Sequence, residues 1–78
     1  MVSFLFWNLN RKNIPNIITN IALMYDIDII MLVECEIDPG ILLSKLNKNE
    51  VNYNYATGIT ESKIKIFIKL LVTFISTA

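Results

Sequence analysis

Two short runs, Val2–Asn8 and Asp28–Glu34, are apolar almost without interruption, and what lies between them has a different period. A strand with one face in water alternates apolar and polar residues, so an unbroken β-branched and aromatic run is expected to be covered on both faces. Between the runs, Ile14, Ile17, Ile18, Ile21 and Tyr25 recur at the three-and-four spacing of a helical face, with Asn16, Thr19 and Asn20 on the other side. Pro15 marks the start, because proline fits the first helical position and the residue before it avoids helical angles. A helix over about Pro15–Tyr25 follows. Strand, helix and strand make a βαβ unit with parallel strands and a right-handed crossover.

Asp38, Pro39 and Gly40 read as a turn, and a short helix over Ile41–Leu46 leads into the polar run 47–50. Val51–Ala56 and a loop over Thr57–Ser62 come next. In Lys63–Leu70, Ile64, Ile66 and Ile68 alternate with Lys63, Lys65 and Lys69, and Phe67 breaks the pattern. This reads as a strand with an isoleucine face and a half-basic face. The fold class is α/β, in one small domain.

Composition excludes several kinds of chemistry. Seven basic and seven acidic residues leave the chain formally neutral, so no global field draws it to nucleic acid or to an anionic membrane. With no histidine and a single cysteine, Cys35, there is no internal disulfide, no zinc cluster and no histidine base. Cys35 reads as a small semi-buried hydrophobe and Trp7 as a core anchor. MVSFLF lacks the basic region and long apolar core of a secretory signal, so a reducing cytoplasm is expected. No membrane span is expected either: the run 27–33 is about a third of the roughly 20 residues required, and Lys65 and Lys69 interrupt the tail.

The first strand stops in Trp7, Asn8, Leu9, Asn10. In a parallel pair the carboxyl ends of both strands share one edge, about 4.8 Å apart, which brings Asn8 and Asn10 beside Glu34. A carboxylate with amide oxygens is the hard-oxygen set that suits Mg²⁺, at the edge where open α/β sheets bind ligands. The plainer alternative is that the asparagines form a turn while Glu34 is solvated or paired with Arg11 or Lys12. Glu36 reads as a surface residue.

FLFWNLN, followed after one helix by DIDIIMLVECE, resembles the opening of the endonuclease/exonuclease/phosphatase superfamily, the DNase I-like fold. Its members show a strand ending in Trp-Asn-x-Asn or Trp-Asn-x-Asp, a helix, and an apolar strand ending in Glu. SKIKIFIKL, over 62–70, is similar to a later strand of that family. The resemblance implies a two-sheet sandwich and a Mg²⁺-dependent phosphodiesterase or phosphatase acting on nucleic acid or another phosphate ester. Glu34 would ligate the metal, and Asn8 and Asn10 would serve the catalytic site by positioning metal or phosphate. The family's later Asp-Asn and Asp-His motifs do not occur here. Residues 1–70 are therefore expected to form an N-terminal part of such a domain, inactive alone, followed by an apolar tail over 71–78. The alternative is a small non-catalytic module that pairs through an exposed strand edge, with itself or with a complementing chain.

Overall fold

A computed structural model describes residues 2–48, 51–56 and 63–69. It is a small mixed α/β domain with strands β1 (Phe4–Asn8), β2 (Ile29–Val33), β3 (Tyr53–Tyr55) and β4 (Lys65–Lys69) and helices α1 (Pro15–Met24) and α2 (Pro39–Leu46). The sheet order is β1-β2-β4-β3. The β1–β2 pair is parallel, as the βαβ reading requires, while β4 runs antiparallel to both β2 and β3.

Pro15 opens α1 at its first turn without a side-chain cap. The helix ends in a Schellman turn, in which Ile27 N–H bonds Ala22 O at 2.9 Å and Asp26 N–H bonds Leu23 O at 3.4 Å. Asp26 takes the left-handed position usually held by glycine, at φ 52°. The buried face of α1 carries Ile18, Thr19 and Ala22, whereas Ile17 is half exposed and Tyr25 more so. Relative to the expected isoleucine face, the helix is thus rotated. Ala22 and Thr19 are the small residues that let its backbone come close to the core.

Helix α2 begins two residues before the expected Ile41. Asp38 is its N-cap, its Oδ1 accepting Gly40 N–H at 2.9 Å, and Pro39 occupies the first turn, so the expected turn residues start the helix instead. Asn47 closes it and grips β3 in both directions. Its amide donates to Tyr53 O at 2.9 Å and accepts from Tyr53 N–H at 2.7 Å.

The core lies on one side of the sheet. Two transverse rows face it in register, Leu5, Ile30, Phe67 and Tyr55 in one, Trp7, Leu32 and Lys65 in the other. Ile18, Ala22, Leu42 and Leu46 complete it from the two helices. Phe67 is wholly buried, 5.2 Å from the Tyr55 ring. Each such side chain contributes about 1.5–3 kcal/mol relative to exposure.

The opposite side differs from what the apolar runs suggest. Phe4 and Phe6 leave 54% and 58% of their surface to solvent, so β1 is covered on one face only. In β4 the isoleucine face is the open one: Ile68 is 43% exposed, while Lys65 and Phe67 point into the core. Lys65 keeps its charge solvated by the protein, donating to Cys35 O at 2.7 Å. The expected loop 57–62 and the tail 71–78 lie outside the described residues.

A second polar cluster ties the amino end of β1 to the loop before β2. Ser3 N–H bonds Asp28 Oδ2 at 2.9 Å, and Asp28 N–H bonds Ser3 Oγ at 3.0 Å. Lys69 pairs with Asp26 and lies 3.8 Å from Asp28. Tyr53 OH donates to Ile27 O.

Candidate functional site

The register of β1 against β2 pairs Asn8 with Val33, which places Glu34 one residue beyond on the neighbouring strand. The two strand ends are then zipped together by backbone. Leu9 N–H bonds Val33 O at 3.0 Å, Arg11 N–H bonds Glu34 O at 2.9 Å, and Lys12 N–H closes a turn onto Leu9 O at 2.9 Å. Leu9 and Cys35 are buried on either side of this junction. Each acts as a peg that leaves its polar neighbours, Asn8, Asn10, Glu34 and Glu36, facing water.

Side chains follow the backbone. Asn8 Nδ2 donates to Glu34 Oε2 at 3.3 Å, and Asn8 Oδ1 accepts Asn10 N–H at 3.0 Å. The expected meeting of Asn8 with Glu34 is therefore present. Asn8 holds the carboxylate with its amide nitrogen and spends its oxygen on the turn, so it orients Glu34 and does not offer a second oxygen beside it. Asn10 joins the rim through its backbone N–H.

Three residues of the rim have left-handed backbone: Asn10 at φ 50°, Arg11 at φ 65° and Glu34 at φ 49°. Asparagine tolerates this region, but for Arg11 and Glu34 it costs on the order of 1–3 kcal/mol each. The hydrogen bonds of Arg11 N–H and Leu9 N–H, with burial of Leu9 and Cys35, hold them there. From the sequence, Arg11 is expected only as a counter-ion for Glu34. Nothing in an Asn-Arg-Lys stretch signals left-handed backbone at the arginine.

No ion pair joins Glu34 to Arg11 or Lys12 among the described residues. Glu36 is exposed and lies 3.8 Å from Lys63, as a surface residue would. Cys35 is fully buried, with its N–H on Lys63 O at 2.9 Å. The donor set for a cation is thus one oriented carboxylate, and among the described residues no three acidic, histidine or cysteine side chains gather. A shallow groove of about 370 Å³ on α2, lined by Asp38, Gly40, Ile41, Ser44 and Lys45, includes none of the rim residues. No helix among the described residues is long and apolar enough to cross a membrane. Comparison with protein-family models, with curated proteins and with solved structures finds no match to this chain.

Proposed function

We propose that the chain carries the opening strand–helix–strand of an endonuclease/exonuclease/phosphatase domain of DNase I-like fold, whose intact relatives are metal-dependent phosphoester hydrolases. The observation that supports this reading is the Asn8–Glu34 hydrogen bond at the carboxyl edge of two parallel strands. Glu34 is the ligand for Mg²⁺. Asn8 fixes the orientation of its carboxylate, the part an outer-shell hydrogen bond plays at metal centres. Asn10 sets the turn through its N–H, and its exposed side chain would help position metal or phosphate. A bound Mg²⁺ would supply polarisation of a phosphoryl oxygen and stabilisation of charge on the leaving oxygen.

One carboxylate holds Mg²⁺ weakly, because the ion gives up its waters reluctantly. The chain alone is therefore expected to bind the metal as a surface carboxylate does, and to leave DNA, RNA and phosphomonoesters intact. Titration with Mn²⁺, followed by amide NMR, tests the ligand assignment. Resonances of residues 8–11 and 33–35 should broaden first, and Glu34→Gln should abolish this selectively. Broadening centred on Asp26 and Asp28, or unchanged in the variant, would refute it. Turnover with Mg²⁺ that disappears in Glu34→Ala would show a complete site in this chain.

A non-catalytic module is the second reading, and a specific observation favours it. Among the described residues β1 is an edge strand, and it carries the exposed Phe4 and Phe6. Such an edge is open to strand addition.

A further inference from the structure

Beyond the rim, the open face of the sheet is a broad apolar surface among the described residues. Its side chains form transverse rows in register: Phe4, Ile29, Ile68 and Asn54 in one, Phe6, Met31 and Ile66 in the next, Asn8 and Val33 at the carboxyl edge. Seven of these nine are apolar and none is charged. Given the ~150–250 Å² that a buried aromatic covers, the exposures of Phe4, Phe6 and Ile68 and the partial exposure of Ile29, Met31, Val33 and Ile66 amount to roughly 450 Å². The largest apolar patch on a monomer is about 300–600 Å² and is often functional, and this face falls in that range.

We propose that this face is a self-association surface, on which a second copy of the chain stacks its own open face to form a two-fold symmetric sandwich. Three features favour a second copy over a different partner. The face holds no charge that would select an oppositely charged surface, so it is complementary to itself, as a two-fold contact requires. The chain is formally neutral, so copies do not repel one another. Two such faces together bury at most about 900 Å², the low end of the range, where contacts are weak and transient. Sheets stack about 10 Å apart with strands within about 30°, a spacing that lets the Phe4 and Phe6 rings of one copy interdigitate with Met31 and Ile66 of the other. A contact of this size belongs with weak, transient interfaces. This contact is independent of whether the rim holds a metal.

Sedimentation equilibrium of the full chain over about 1–200 µM, the range in which exposed apolar surface drives association, should fit a monomer–dimer equilibrium. Phe6→Lys should weaken it at least tenfold, and Ile17→Lys, on the half-exposed outer side of α1, should leave it unchanged. Isotope-filtered NOEs in a mixed labelled and unlabelled wild-type sample should connect the Phe6 ring of one copy to Met31 or Ile66 of the other, a readout that needs no variant to fold. A monomer throughout with NOEs from residues 70–78 to Phe6 would overturn the proposal, since the face would then be covered by its own chain. Mass growth without a plateau at the dimer, pointing to edge-to-edge pairing, would also overturn it.

Discussion

Phe67→Ala should be among the most destabilising single changes in this chain, and it tests which face of β4 is the core. Phe67 is wholly buried between Ile30 and Tyr55 in the transverse row that the helices cover. A buried phenylalanine cut to alanine costs about 3–5 kcal/mol through lost burial and the cavity left behind. At roughly 0.05–0.15 kcal/mol per residue, a chain of 78 residues has about 4–12 kcal/mol in total. The change therefore removes about a quarter of the stability or more. Ile68→Ala, one residue along and 43% exposed, should cost about 1 kcal/mol or less. Urea unfolding followed by Trp7 fluorescence, at about 1 µM to stay below association, reads both. Should Phe67→Ala be unfolded in water, Phe67→Leu, with an expected loss of about 1.5 kcal/mol, gives the same comparison. A larger loss at Ile68 than at Phe67 would refute the face assignment, and with it the open face.

Stability should fall in acid through Asp28. The backbone N–H of Ser3 beside it, aided by Ser3 Oγ and Lys69 against the cost of burial, holds its carboxyl below the ordinary value. The stabilisation is present above about pH 4, the unfolded value, and is lost as pH falls through the lower folded value, so Asp28→Asn should flatten the acid limb of a thermal pH series. At the other extreme, burial, with Asp26 and Asp28 nearby, pushes the Tyr53 hydroxyl up to about 12. Its contribution persists below about pH 10 and is lost as pH rises through the folded value, so alkaline unfolding should be shallower in Tyr53→Phe. Thr19 Oγ1 is buried with no hydrogen-bond partner among the described residues. Thr19→Val keeps the shape and should raise the melting temperature by about 4–8 °C, the equivalent of 1 kcal/mol in a chain of this size.

The βαβ unit was legible because its signals are local. An unbroken apolar run, a proline at a helix start and a three-and-four spacing need no knowledge of what packs where, and α1 ends at Met24, within a residue of the expected Tyr25. Which face turns inward is not local. Ile17, Ile18 and Ile21 are equivalent to a periodicity argument, and only the sheet beneath selects Ile18 and the small Ala22. In β4 the three isoleucines made the more apolar face, yet the register Ile30 to Phe67 and Leu32 to Lys65 assigns the other parity to the core. A lysine can occupy that face because its stem is apolar and its ammonium finds Cys35 O. Two-sided coverage failed for a related reason: both helices among the described residues lie on one side.

At the rim, proximity was legible and conformation was not. Parallel strands align their carboxyl ends whatever the loops do, so Asn8 and Glu34 had to be neighbours. The left-handed backbone of Arg11 and Glu34 has no local cause, since neither residue favours it. It follows from the pegs. Leu9 must turn inward immediately after Asn8, and Cys35 immediately after Glu34, and a strand that continued with ordinary angles would carry Glu34 along the sheet and away from Asn8. The burial of two apolar side chains, about 1.5–3 kcal/mol each for residues such as leucine, offsets a strain of similar size. A turn formed by asparagines for their own sake would need no strained glutamate opposite. That the strain falls on the carboxylate, and is held by a hydrogen bond from Asn8, is what separates this rim from an ordinary strand end.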